Sequence, residues 1–160
     1  MTRLQFDLPD SEASERFAAA LADALADRSG AVIYLQGDLG AGKTTIARAL
    51  LRRLGVQGAI RSPTYTIMEP YEIEGRRLLH MDLYRIEAAD LEQLGLDDYS
   101  PRDTIWLVEW PEKADGELPP FDLDLRLQHT ENGRRLQLEA AEGWERALQA
   151  LPAQASQDSA

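Results

Sequence analysis

One short stretch, Gly37-Asp38-Leu39-Gly40-Ala41-Gly42-Lys43-Thr44-Thr45, constrains this chain more than any other part of it. It fits G-x-x-x-x-G-K-[ST], with Gly37, Gly42, Lys43 and Thr44 on the fixed positions. The segment before it, Ala31-Val32-Ile33-Tyr34-Leu35, is apolar and β-branched, as a buried strand requires. After it, Ile46, Leu50 and Leu54 recur four apart and share one helical face. A strand, a glycine loop and a helix in that order let main-chain N–H groups wrap a polyphosphate. The glycines admit unusual dihedrals and leave room, and the helix start adds unpaired N–H groups and the positive end of its dipole. Asp38, Leu39, Gly40, Ala41, Gly42, Lys43, Thr44 and Thr45 are therefore the candidate phosphate cradle. In it Lys43 neutralises the β- and γ-phosphates, and the Thr44 hydroxyl takes one position on Mg²⁺.

At 160 residues the chain is long enough for one domain with a proper core and short for two. The expected domain runs over residues 1–151, and residues 152–160 read as a disordered tail. No stretch approaches 18 apolar residues and the N-terminus lacks a signal-peptide pattern, so a soluble, cytoplasmic protein without a membrane partner is expected. The absence of cysteine excludes disulfides, thiolate metal sites and cysteine nucleophiles, and the two histidines, His80 and His129, lie far apart. The formal charge of −11 argues against a free nucleic-acid binder, whose surface must neutralise phosphates. Any RNA is expected to be held by another protein.

Along the chain, Leu4 to Leu8 alternates as a short strand, and Pro9-Asp10-Ser11 supplies a turn and helix N-cap. Phe17, Leu21 and Leu25 give the next helix its apolar face, with Gly30 as its stop. Ala59-Ile60-Arg61 reads as a short strand. Ser62-Pro63-Thr64-Tyr65-Thr66 follows, either a plain turn or a switch loop that orders around a γ-phosphate through Ser62, Thr64 and Thr66. Tyr65 to Ile73 is strand-like, with Pro70 marking an edge or bulge, and Glu74-Gly75 turns the chain back into Arg77 to Asp82. His80 reads as packed and hydrogen-bonded rather than catalytic. Glu87 to Leu94 is an amphipathic helix ended by Gly95. Thr104 to Glu109 is a second apolar strand, and Phe121 to Leu138 forms a hairpin around Asn132-Gly133, a type I′ signal. A last helix covers Gly143 to Leu151.

Two acids thus end strands, Asp82 and Glu109, the position at which enzymes with this loop hold Mg²⁺ or orient water. Glu109 closes the more apolar run and is the favoured metal ligand beside Thr44; Asp82 then supports it or positions water. The resulting fold class is α/β: a P-loop NTPase-like mixed sheet, parallel in its core, with antiparallel hairpins at the margins and helices on both faces. A kinase needs an acceptor site and usually an arginine-rich lid, and no clear lid is visible. A GTPase needs an Asn/Thr-Lys-x-Asp guanine reader, which the sequence lacks. An ATPase that drives a partner protein needs neither, and a non-enzymatic binding module is the plainest alternative. Arg61 and Arg85 are the candidate arginine fingers, though most surface arginines are simply solvated. Without such a charge, turnover alone is expected to be slow, since a supplied arginine or ordered switch is worth rate factors of ~10³–10⁵.

Taken with the glycine loop, three further segments go beyond a generic phosphate loop. They are Ser62-Pro63-Thr64-Tyr65-Thr66, His80-Met81-Asp82-Leu83-Tyr84-Arg85 and Val108-Glu109-Trp110-Pro111-Glu112-Lys113. Their order and spacing over Leu8 to Leu138 resemble the bacterial TsaE (YjeE) family, the ATPase of tRNA threonylcarbamoyladenosine biosynthesis. The resemblance implies ATP as substrate, ADP as product, Mg²⁺ as cofactor, and TsaB and TsaD as partners, with tRNA engaged only through that complex. It implies that Lys43 and Thr44 hold phosphate and Mg²⁺, that Glu109 is the second Mg²⁺ ligand, and that Asp82 is the essential acid near the γ-phosphate. Ser62 to Thr66 becomes a switch-like loop, and Trp110 an interface or supporting residue. Ala114-Asp115-Gly116 departs from the family, which often has glycine directly after the residue equivalent to Lys113.

Overall fold

The computed structural model describes residues 1–152 and 156–158, the last three and Ala88–Ala89 by their backbone alone. Eight strands form one sheet: β1 Thr2–Leu8, β2 Ala31–Gly37, β3 Met68–Ile73, β4 Arg76–Asp82, β5 Thr104–Glu109, β6 Leu123–Thr130, β7 Gly133–Ala140 and β8 Ser156–Asp158. Their order is β3-β4-β5-β2-β6-β7-β1-β8. The centre is parallel (β4 with β5, β5 with β2, β2 with β6) and the margins are antiparallel (β3 with β4, β6 with β7, β7 with β1). Burial on both faces explains why β5 is buried at every residue, whereas the marginal strands alternate.

Two helices, α1 Ser11–Ala24 and α2 Lys43–Arg53, lie together on one face. There Phe17 and Leu21 of α1 and Ile46 and Leu50 of α2 pack on Ile33, Leu35, Leu107 and Leu125. The Phe17 ring sits 4.9 Å from that of Phe6 on β1, tying α1 to the far margin. The opposite face over β4, β5 and β2 is covered by 3-10 turns at Ala88–Leu94 and Pro111–Ala114, which bring Leu91 and Ala114 onto Leu79, Trp106 and Val108. Toward β7 and β1 that face carries polar pairs instead, Arg3 with Glu139 and Arg126 with Asp124.

Several sequence expectations shift. Asp10 does cap α1, accepting from the Ala13 N–H at 2.8 Å, but the helix ends at Ala24 and not at Gly30. Gly30 is instead a point of close approach, where a Cβ would stand 2.1 Å from the Pro101 carbonyl oxygen. Ala59–Arg61 forms no strand; it lies in the turn that leaves α2 through Gly55 and Gly58, both at positive φ. The amphipathic stretch at Ala88–Leu94 is 3-10 and not α, stopped by Gly95 at φ 69°. The final helix shrinks to α3, Glu145–Leu148. Of the tail expected to be disordered, residues 153–155 and 159–160 lie outside the described residues, and β8 pairs antiparallel with β1 at Leu4↔Gln157. Pro70 sits as expected on an edge strand, β3, and Glu74-Gly75 turns with both residues at positive φ.

The hairpin between β6 and β7 is not type I′. Thr130 pairs with Gly133, and of the turn residues only Gly133 has positive φ, 143°. Its glycine answers a packing demand, because a Cβ there would lie 2.5 Å from the Leu8 carbonyl oxygen and 2.7 Å from the Pro9 Cα. Gly133→Ala should therefore lower stability by about 1–3 kcal/mol, read as a fall in the urea midpoint at unchanged slope. A midpoint within error of wild type would show that the Leu8–Pro9 segment yields freely.

Candidate nucleotide site

The turn from β2 into α2 is made by left-handed glycines, Gly40 at φ 78° and Gly42 at φ 108°, the latter being the N-cap of α2. The Ala41 N–H bonds the Asp38 carbonyl at 3.0 Å, and the first helical bond runs from Ile46 N–H to the Gly42 carbonyl at 3.1 Å. The amides at the helix start that precede it have no intrahelical carbonyl to bond. Leu39, at the loop tip, is 65% exposed although apolar.

Period-two alternation places Leu78, His80 and Asp82 of β4, and Leu107 and Glu109 of β5, on the face that α2 covers. Asp82 and Glu109 are direct neighbours across these parallel strands, at their carboxyl ends, where open α/β sheets bind ligands. Three of these polar groups are nearly excluded from water: His80 is 0%, Glu109 2% and Asp82 6% exposed. Both carboxylates have a partner on each oxygen, and His80 has one on Nε2 alone. Glu109 Oε1 accepts from the Thr44 hydroxyl at 2.8 Å, and Glu109 Oε2 meets His80 Nε2 at 2.7 Å. Asp82 Oδ1 accepts from the Tyr84 N–H at 3.0 Å, and Oδ2 from the Thr64 hydroxyl at 3.3 Å.

Thr64 in turn shares a 2.8 Å hydrogen bond with Ser62, so the Ser62–Thr66 loop is fastened to the Asp82 carboxylate. The Asp82 N–H also donates to the Ile67 carbonyl at 2.9 Å, and Ile67 holds φ 69° to reach it. Thr66, grouped with Ser62 and Thr64 by sequence, is exposed instead.

Lys43 is buried with them. Its ammonium donates to the Gly37 carbonyl and to the Asp38 carbonyl at 3.2 Å, and lies 3.8 Å above the Trp110 ring. Burial pushes its pKa below the usual lysine range, against the opposing pull of Glu109, Glu112, Asp82 and Asp38. Trp110 reaches this position through a left-handed backbone, φ 58° and ψ 49°, and its ring also meets Tyr84 at 4.9 Å. In the departing segment Asp115 itself takes the left-handed position, φ 55°, which ends the 3-10 turn.

Arg134, at the start of β7, escaped the sequence reading. Its guanidinium donates to the Ala41 carbonyl at 3.0 Å and the Gly40 carbonyl at 3.2 Å, bracing the loop from outside. Beside it a cleft of about 140 Å³ opens between Pro9, Asp10, Ser11, Thr45 and Gly133. In sequence Arg134 is one more polar residue of a marginal strand; only its nearness to the Asn132-Gly133 turn hinted at it. Arg61 is exposed, and Arg85 stacks 4.6 Å over the exposed Tyr65 ring.

With this geometry, comparison with known proteins is decisive. Residues 8–137 match the family described as Threonylcarbamoyl adenosine biosynthesis protein TsaE. The chain belongs to the TsaE family. It is 40% identical over 135 residues to the tRNA threonylcarbamoyladenosine biosynthesis protein TsaE of Haemophilus influenzae, covering 82% of this chain and 85% of that one. Against the TsaE protein of Synechocystis it is 41% identical over 114 residues, covering 69% and 71%. A crystal structure of YdiB from Bacillus subtilis superposes with a TM-score of 0.75 at 29% identity, covering 93% of this chain and 94% of that one. The resemblance drawn from the sequence motifs, and the mixed P-loop NTPase-like fold read from the residues, are borne out for this TsaE-family chain.

The lowered pKa of Lys43 has a thermodynamic sign. A folded-state value below the unfolded one means that the native protein binds fewer protons between the two, so this contribution to stability rises with pH. Lys43→Met keeps the stem and removes the titration. For nucleotide-free protein, wild type should gain urea stability relative to Lys43→Met as pH climbs from neutrality toward the usual lysine value of about 10.4. A difference that stays flat or falls over that window contradicts the assignment.

Proposed function

We propose that this TsaE-family protein binds Mg·ATP in the Gly37–Thr45 loop, hydrolyses it slowly when alone, and supports formation of N6-threonylcarbamoyladenosine in tRNA together with TsaB and TsaD. The observation that carries the reading is the 2.8 Å pairing of Thr44 with Glu109 at the start of α2. A hydroxyl and a carboxylate are the hard oxygen donors that Mg²⁺ takes, one or two from protein and the rest from phosphate and water. Thr44 and Glu109 would hold the ion, which when bound draws charge from the β- and γ-phosphate oxygens.

The remaining work falls to the chain. Amides of Asp38 to Thr45 receive the phosphate oxygens, and Lys43 exchanges the Gly37 and Asp38 carbonyls for phosphate. Asp82, held between Thr64 and Tyr84, accepts a hydrogen of the attacking water as its oxygen bonds to the γ-phosphorus and the bond to the β–γ bridging oxygen breaks, releasing ADP. Slow turnover alone agrees with Arg61 being exposed and Arg85 being engaged by Tyr65. Exposed Leu39, Tyr65 and Tyr84 belong to the segments around this site and offer apolar footholds for the TsaB–TsaD partner. No described helix is long and apolar enough to cross a membrane.

Calorimetry and phosphate release test this directly. Lys43→Ala should weaken Mg·ATP binding at least tenfold, while at saturating Mg²⁺ Asp82→Ala and Glu109→Ala retain most of the binding and lose about 10²-fold in turnover. Addition of TsaB, TsaD and tRNA should raise the wild-type rate. Absence of Mg·ATP uptake overturns the reading, and delivery of the γ-phosphate to a small acceptor would replace it with a kinase.

A further inference from the structure

We propose that His80 is a positioning residue for the metal-binding carboxylate: its Nε2–H secures one oxygen of Glu109 so that the other stays turned to Thr44 and to the ion carried by the nucleotide. This rests on the Mg·ATP reading above and adds a role for a residue outside the loop, the two strand-end acids and the switch segment.

The geometry is specific. His80 and Glu109 project from adjacent parallel strands onto the same face, and His80 sits one pleat below the Asp82–Glu109 pair. Its ring is wholly buried and meets Glu109 Oε2 at 2.7 Å, while Glu109 Oε1 receives the Thr44 hydroxyl at 2.8 Å. A carboxylate can only accept, so the hydrogen between the two groups belongs to Nε2. Nδ1 is buried and has no hydrogen-bond partner among the described residues, so nothing there competes for that hydrogen. The bond therefore has one direction, and it divides the Glu109 oxygens into a fixed one and a presented one. A glutamate side chain with three free torsions would otherwise have to be ordered by the metal itself. Outer groups that orient ligating carboxylates are typically worth 10–100-fold in metal affinity.

His80→Gln and His80→Asn separate this role from packing. Glutamine can place an amide N–H near the position of Nε2, whereas the shorter asparagine stops near Nδ1 and cannot reach Glu109. ATP affinity is measured first in EDTA, then the Mg²⁺ concentration for half-maximal tightening of ATP is titrated, both by calorimetry. Expected is an EDTA affinity within about twofold of wild type for both variants. The Mg²⁺ requirement should rise tenfold or more in His80→Asn, and return to within about threefold of wild type in His80→Gln. An unchanged Mg²⁺ requirement in His80→Asn, or an equal loss in both variants with weakened EDTA binding, overturns the proposal. Failure of wild type to bind ATP even with Mg²⁺ would instead remove the nucleotide reading. Wild-type protein alone supplies a second measurement, because ¹⁵N–¹H spectra of the His80 ring should show hydrogen on Nε2. A ring carrying its only hydrogen on Nδ1 overturns the proposal whatever the variants do.

Discussion

Burying carboxylates beside a hydrophobic sheet is costly unless every oxygen has a partner, and that demand organises this molecule. Asp82 and Glu109 end neighbouring strands where little water reaches, and four different segments supply their partners: α2 through Thr44, β4 through His80, the loop before β3 through Thr64, and the chain after β4 through Tyr84. The sheet order follows from the same point. With β5 between β4 and β2, one acid-bearing strand touches both the other acid and the strand that feeds the glycine loop. The fold is thus an arrangement for bringing the carboxyl ends of three parallel strands to a single helix start.

Charge tells a similar story at a larger scale. The chain carries −11 overall, yet the loop is edged by cations, Lys43 within and Arg134 outside. Lys43 is held by carbonyl dipoles and an aromatic face, and among the described residues no carboxylate pairs with it directly. A direct ion pair would have to be broken for phosphate to enter, whereas carbonyl contacts exchange at modest cost. The loop thus gathers Lys43 and Arg134 beside the acids Asp38, Asp82, Glu109 and Glu112, within a chain that is acidic overall.

Much of this was legible in the chain because the signals were strong and local. Apolar β-branched runs marked β2 and β5, four-residue spacing marked α2, and the two strand-end acids pointed to the site. What escaped depends on contacts distant in sequence. Ala59–Arg61 has strand-like residues but no strand to pair with, and the Asn132-Gly133 turn takes its shape from the Leu8–Pro9 backbone pressed against it. Arg134 is joined to the loop across 93 residues, which no pattern reveals in a strand of alternating polarity. His80 could be read as buried and bonded, but its partner Glu109, 29 residues away, could not. Segments 88–94 and 143–151 have helical spacing yet lack the length at which an α-helix sustains itself, and tertiary packing set their form.

One edge strand of the sheet, β3, carries a proline in its middle, with glutamates at 69 and 72 on the same strand. Pro70 has no N–H to offer, so another chain cannot zip onto that rim by continuous main-chain bonding, and the acids discourage stacking of like copies. Association by sheet extension is blocked on that side. A second copy of this chain is thereby kept from lengthening the sheet beside the acid-bearing strand β4.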